Sequence, residues 1–261
     1  MGTIDGSADP HLEVEVRTYG DGTALDVSLA RPEKLNSLPA SSAGALVAVL
    51  EAVSEGEYDA VVVRGAGDQF CAGADIEELR DEIVSGNPVD QTRVHDVVDA
   101  IRSCPVPVVT EVTGIAFGLG FLVCMAADVV VAGEDATFGM KEVTLGIPIA
   151  GWASVLLPEI VGDRRARDWL LTGRSVDCET AVEAGFVTVA APKSELAERT
   201  GDYVDRLAAS SSRAVGVLKD RLSFPVDDAE RERIRVDETE ALASAYETGG
   251  VLERIDAVLD D

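Results

Sequence analysis

Lysine is scarce in this 261-residue chain: Lys34, Lys141, Lys193 and Lys219 are four of only 22 basic residues, set against 48 acidic ones and a net charge of −26. Without clustered cations there is little to hold phosphate backbones or anionic headgroups, so nucleic acid and membrane surfaces are excluded as expected partners. Excess carboxylate with little lysine instead fits a saline solvent, where screening over about 3 Å at roughly 1 M salt relieves self-repulsion. Cysteine is sparse as well. Cys71, Cys104, Cys124 and Cys178 are widely spaced with no CxxC pair, which argues against a disulfide scaffold and for small buried fillers. No apolar run reaches the ~18 residues of a transmembrane helix. The opening MGTIDGSADP has neither the basic start nor the apolar stretch of a signal peptide, and Gly6 breaks the myristoylation pattern. These absences lead us to expect a soluble, cytoplasmic protein.

Histidine is limited to His11 and His95. A Ser-His-Asp triad would rest on His95 alone, and no GxSxG elbow is present. His95 and Asp99 share i, i+4 spacing on an expected helix, but two ligands without a third do not make a metal site, and the pair reads as a helix surface. No metal is expected. Gly118-Leu-Gly120 lacks the third glycine of a dinucleotide fingerprint, and no GxxxxGK[ST] loop occurs, so nucleotide chemistry is not indicated.

The chain is 46% hydrophobic, enough for a large core. Leu12–Arg17 and Ala24–Leu29 alternate apolar with polar around a hairpin turn at Tyr19–Thr23. Helical spacing over Pro39–Val53, a buried strand over Ala60–Arg64, helices from Ile76 and over Pro88–Arg102, a strand ending at Val112 and another at Asp128–Ala132 predict an α/β fold rich in parallel sheet. From Ala153 the pattern is mostly helical, interrupted by a short strand at Val187–Ala190, with a break near residue 200.

Two glycine-bearing loops each follow a buried strand and open a helix: Phe70-Cys-Ala-Gly-Ala-Asp75 and Gly114-Ile-Ala-Phe-Gly-Leu-Gly120. N–H groups at a helix start have no intrahelical acceptor and sit at the positive end of the dipole. Facing each other, two such starts would form an oxyanion hole; otherwise the glycines serve only tight turns. A third segment, Ala136–Pro148, is mostly apolar around Glu142. Desolvation there would raise the carboxyl pKa toward the range useful for proton transfer, unless Glu142 pairs with Lys141 or an arginine.

Together these segments resemble the crotonase superfamily, the enoyl-CoA hydratase/isomerase family. The likeness runs through Arg31-Pro-Glu-Lys-Leu-Asn-Ser-Leu38, Phe70–Leu79, Val112–Asp128, Phe138–Pro148, Leu171-Thr-Gly-Arg174 and Ala181–Val187. It implies a spiral of ββα units with a helical C-terminal region, assembled as a homotrimer or a dimer of trimers. In this reading residues 1–10 are a flexible lead-in, 11–200 the α/β core and 201–261 a helical trimerisation region. The implied ligand is an acyl-CoA thioester, with no cofactor beyond the coenzyme A of the substrate. Matched by motif, the N–H groups of Ala74 and Leu119 would hold the thioester oxygen. Ala72, Gly73, Ala74, Asp75 and Ile76 would lie along the adenine and pantetheine, with Gly118 beside the thioester and Arg31 or Lys34 near the phosphates.

Hydratases of the family use two glutamates. Glu142 matches the second, in a Phe-Gly-x-x-Glu pattern, whereas the first position here holds Leu122. One carboxylate suffices to move a proton from C2 to C4, so the resemblance favours double-bond isomerisation. Hydration or another crotonase reaction with a different second acid, or a non-catalytic acyl-CoA-binding subunit, are the alternatives. Asp75 reads as a helix cap and Glu111 as structural, and His95 borders the acyl pocket. Leu119 stands where the family has the middle glycine of its run, a substitution that would strain the backbone if φ > 0 were needed there.

Overall fold

A computed structural model of the chain describes residues 9–86, 89–90, 92–247 and 250–260. Among the described residues nine strands come in chain order as β1 Leu12–Tyr19, β2 Gly22–Leu29, β3 Ala60–Gly65, β4 Val108–Val112, β5 Ile115–Phe117, β6 Val129–Gly133, β7 Thr137–Gly139, β8 Val176–Asp177 and β9 Val189–Ala191. Six of them form one sheet in the order β1-β2-β3-β4-β6-β9. The β1–β2 hairpin is antiparallel, and every later pairing in that sheet is parallel. The hairpin tip needs Gly20 at φ 52°; beyond it the N–H groups of Asp21 and Gly22 donate to Asp205 Oδ1 at 3.0 and 3.1 Å.

Central strands made almost wholly of valine are buried on both faces, as a parallel sheet requires. Val61, Val63, Val108 and Val112 pack into the main core with helices α1 (Ala40–Ala52), α3 (Arg93–Ser103) and α4 (Leu119–Ala126). On the other face Ala60, Val62, Val109 and Val131 meet Leu196 and Val204 of α8 (Leu196–Ala208). That helix runs through residue 200 and covers the sheet. The division expected at residue 200 falls within this helix. Between these come α2 (Ile76–Ser85), α5 (Ala153–Val161), α6 (Asp163–Thr172) and α7 (Cys178–Glu183); α9 (Ser212–Leu222), α10 (Asp228–Glu247) and α11 (Gly250–Leu259) follow.

Several expected boundaries move. The helix expected over Pro88–Arg102 starts at Arg93, and Pro88 lies outside the described residues, as do residues 1–8 of the lead-in. Asp9 is buried and accepts hydrogen bonds from the His11 N–H and the Ser42 hydroxyl, both at 2.9 Å. The segment read as a loop before α4 contains β5, which with β7 and β8 makes a small second sheet. All four cysteines are free and buried. Among the described residues no helix is long and apolar enough to cross a membrane.

Against the α8 face sits one buried polar cluster. Asp26 on β2 accepts from the Tyr19 hydroxyl at 3.0 Å and pairs with Arg64 at 2.9 Å and Arg17 at 3.1 Å. Arg64 reaches on to Glu111 at 3.0 Å, giving Glu111 a structural place. Burial pushes the Tyr19 phenol up to about 12, keeping it a donor. Removing one member of a buried ion cluster leaves an uncompensated charge, at a cost of about 3–5 kcal/mol. Asp26→Ala should therefore lower the urea midpoint sharply with little change in the m-value; an unchanged midpoint would show the cluster to be dispensable.

Candidate active site

Two chain crossings build the site. In the first, the Arg31–Leu38 segment folds into a tight turn with Leu35 and Asn36 both in the left-handed region, at φ 52° and 54°. Asn36 is buried; its side chain accepts from the Arg31 N–H at 2.9 Å and donates to the carbonyls of Ala66 and Gln69 at 2.9 and 2.7 Å. The turn then receives the 71–75 strip: Ala72 N–H donates to Leu35 O, Leu38 N–H to Gly73 O, and Asp75 N–H to Leu38 O. On its other side the strip bonds β5, with Cys71 N–H to Ile115 O at 3.0 Å and Phe117 N–H to Cys71 O at 2.9 Å.

In the second crossing, β5 runs into Gly118, the N-cap of α4, with φ 52° and ψ −119°. Gly118 N–H is held by Gly139 O of β7 at 3.0 Å. The glycines of the two strips sit back to back. A Cβ built on Gly73, at φ 114°, would lie 3.1 Å from Phe117 O and 3.5 Å from both Gly118 Cα and Leu119 N. Among the described residues neither the Ala74 N–H nor the Leu119 N–H donates to a backbone oxygen. Both are open donors at adjoining points of the two strips, and Leu119 adds the positive end of α4. Leu119 is helical with its side chain buried in the core, and the positive φ falls on Gly118 instead. The leucine is thus accommodated without backbone strain.

Glu142 opens a short 3-10 turn, Glu142–Leu145, just after β7. Its carboxylate comes up against Gly118: a Cβ placed there would be 2.7 Å from Glu142 Oε1. The second oxygen, Oε2, is shielded from solvent and has no hydrogen-bond partner. Lys141 does not neutralise it by contact, since its ammonium donates to Gly173 O at 2.9 Å and Ser175 Oγ at 2.7 Å. Burial dominates and pushes the carboxyl up to about 7, with its own backbone N–H and Lys141 pulling back. A carboxyl poised there changes protonation easily at neutral pH.

The remaining site candidates are held as follows. Asp75 caps α2, accepting from the N–H groups of Glu77 at 3.0 Å and Glu78 at 3.2 Å, and Ile76 is the first helical residue. Arg31 pairs with Asp75 and also reaches Ser37 Oγ at 3.3 Å, so it braces the strip from within. Lys34 pairs with Glu77 near the surface. Leu122 is buried on α4, at the place where a first glutamate was sought.

His95 departs from its expected place on a helix surface. It is fully buried, with Nε2 at 2.9 Å from Glu238 Oε2, while Asp99 pairs separately with Arg235 at 2.9 Å. Glu238 also accepts from Trp152 N–H at 3.1 Å and Ser154 Oγ at 2.6 Å, and the imidazole stands edge-on to Trp152 at 5.1 Å. Glu238 therefore ties α10 to α3 and α5. Among the described residues no group of three or more potential metal ligands is found.

A parallel sheet wound with a second small sheet, carrying open amides beside one desolvated carboxyl, is the architecture of the crotonase superfamily. The chain belongs to the enoyl-CoA hydratase/isomerase family, whose family model matches residues 21–248. It is 33% identical over 227 residues to a 4-chlorobenzoyl coenzyme A dehalogenase of Arthrobacter sp, covering 84% of this chain and 80% of that one. A probable enoyl-CoA hydratase of Rhodobacter capsulatus is 31% identical over 199 residues, 76% of this chain and 77% of the relative. Among solved structures, an enoyl-CoA hydratase from Mycobacterium avium subsp. paratuberculosis superposes with a TM-score of 0.82 at 26% identity, covering 95% of this chain and 98% of that one. The chain is a crotonase-type enzyme that binds acyl-CoA.

Proposed function

We propose that this enzyme shifts a double bond, converting a 3-enoyl-CoA to a 2-enoyl-CoA. Glu142 removes a proton from C2, and the electron pair of that C–H bond moves into the thioester to give a dienolate. The N–H groups of Ala74 and Leu119 receive the oxygen and stabilise its charge. Glu142 then returns the proton to C4, which restores the carbonyl and leaves the bond between C2 and C3. Ala72, Gly73, Asp75 and Ile76 line the pantetheine side with Gly118 at the thioester. Lys34 faces the phosphates while Arg31 keeps the strip in place. The observation that carries this reading is Glu142 Oε2, buried and without a partner beside the start of α4, while Leu122 supplies no second acid.

Incubation of 2-enoyl- and 3-enoyl-CoA esters in oxygen-18 water and, separately, in deuterium oxide tests it. We expect conversion of the 3-enoyl ester with deuterium entering at C2 or C4 and no heavy oxygen. Oxygen-18 at C3 would mean hydration, with another group acting as the second acid. Binding of the esters with no turnover would mean an acyl-CoA-binding subunit. We further assign the exposed Val217, Leu218 and Leu222 of α9 to a homotrimer or dimer of trimers. Sedimentation velocity checks this, a single-chain mass at micromolar concentration being the contrary result.

A further inference from the structure

The turn that carries Glu142 is held from outside by α11. Within the turn, the N–H and the hydroxyl of Thr144 both donate to Lys141 O, at 2.9 and 2.7 Å. Gly146 closes it at φ 77°, and Ile147 N–H donates back to Glu142 O at 3.0 Å. The carbonyl of Thr144 accepts from Arg254 Nη1 of α11 at 3.1 Å. The stem of the same side chain crosses Gly146, where an added Cβ would lie 3.4 Å from Arg254 Cδ and 3.5 Å from Nε. In a chain with 48 acidic residues, this guanidinium forms no ion pair among the described residues and donates to a backbone carbonyl instead.

α11 is itself anchored on two sides. Val251 and Ile255 are buried in one cluster with Ile147, Ala150 and Leu242 of α10, and Leu79 and Ile83 of α2 pack against it. Asp256, two residues beyond Arg254, pairs with Arg80 of α2. Since Asp75 caps α2, α11 joins the helix that follows the 71–75 strip to the turn that carries Glu142. Apolar burial is non-directional and sets how closely α11 lies on the turn, whereas the directed Arg254 bond sets how the turn is oriented. That orientation matters on the inner side, where Glu142 Oε1 is 2.7 Å from the place a Gly118 Cβ would occupy.

We propose that Arg254 is a positioning residue: by holding Thr144 O and covering Gly146, it keeps the Glu142 carboxyl seated against Gly118. This rests on the reading of Glu142 as the proton-transfer base and names what holds that base in place. Arg254 acts through the backbone and not through its charge. The charged and titratable groups around the carboxyl are few. Lys141 on the turn itself donates to Gly173 O and Ser175 Oγ, and Tyr246 of α10 lies within electrostatic reach. On α6 Asp168 is paired with Arg174 at 2.7 Å, on α11 Glu253 is exposed and Asp256 is paired, and α4 carries no charged residue. Two roles for Arg254 then differ in sign. Losing a nearby cation raises a carboxyl pKa, whereas loosening a buried turn so that water enters lowers it.

The test compares wild type with Arg254→Ala and Arg254→Lys. Carbon-13 NMR follows the Glu142 carboxyl, with Glu142→Gln assigning its signal, and kcat is measured on whichever acyl-CoA ester the wild type converts. In Arg254→Ala the titration should fall from about 7 to about 6 or below. Its kcat should drop about tenfold, as small displacements of a reacting group do. Affinity for hexanoyl-CoA should stay within about twofold, because the 71–75 strip is untouched. Arg254→Lys keeps a donor and an aliphatic stem and should restore most of both losses. Arg254 is exposed, so the fold should survive, and urea midpoints check that. An unchanged or raised titration in Arg254→Ala overturns the proposal, as does an Arg254→Lys protein equally impaired. If Arg254→Ala moves the titration while Glu142→Gln keeps wild-type turnover, the base assignment fails and this one stands. If Glu142→Gln is inactive while Arg254→Ala matches wild type in both readouts, the reverse holds.

Discussion

Glu142→Gln should turn over a 3-enoyl-CoA ester about a thousandfold more slowly than wild type, within the range of roughly 10²–10⁴ expected for a general base, and should be the more stable protein at pH 8. The two effects share one cause. The folded-state pKa of Glu142 is raised to about 7 from its ordinary 4.5. Between those values the folded chain holds a proton that the unfolded chain has released. The stability this group contributes is therefore present at low pH and is lost as pH rises toward 7. The full shift corresponds to at most about 3 kcal/mol, and the partial exposure of the residue reduces that. Glutamine cannot ionise and escapes the penalty, although its amide is left partly unpaired at a cost of about 1 kcal/mol or more. Urea midpoints of the two proteins should lie close at pH 5 and separate in favour of the variant at pH 8. Wild-type kcat/KM should climb through about pH 7 as Glu142 ionises. Equal midpoints at both pH values would mean that the carboxyl is solvated, and the proton-transfer role would go with it.

Much of this site could be read from residue types because its parts are local. The Phe-Gly-x-x-Glu spacing carries Glu142 from the end of β7 directly onto the turn where it is found, and Asp75 before Ile76 announces a cap that the backbone realises. Valine-rich β3 and β4 could belong only to a sheet covered on both faces. What stayed hidden depends on distance or brevity. β5 and β7 are three residues each, too short for alternation to declare itself, yet β5 pairs with β7 on one side and bridges Cys71 on the other, which aligns the two loops. His95 and Glu238 are 143 residues apart, and nothing in the local pattern of α3 says that one helical position is covered by α10 rather than by water. The break read near residue 200 lies inside a helix for a related reason. A change in composition marks where strands cease, whereas α8 still belongs to the sheet because Leu196 and Val204 face it.

Gly118→Ala should reduce turnover by about two to three orders of magnitude, comparable with the ~3 kcal/mol lost when one oxyanion donor is removed. With φ 52° and ψ −119°, Gly118 occupies a region that side-chain-bearing residues scarcely enter, at a cost of about 1–3 kcal/mol. The added methyl would also lie 2.7 Å from Glu142 Oε1, closer than carbon and oxygen approach without a shift. Relief can come from two directions, and both damage the site. Turning the backbone at Gly118 moves the following N–H, that of Leu119, away from the neighbouring strip. Pushing the carboxylate aside moves the base. Leu119→Gly is the informative contrast, because Leu119 is already helical and its donor is a backbone group. That change should lower stability by a few kcal/mol through the lost buried side chain while leaving turnover per folded molecule far above that of Gly118→Ala. Steady-state rates normalised to folded protein compare the two. If Gly118→Ala kept wild-type turnover, the start of α4 would not be where the thioester oxygen is held.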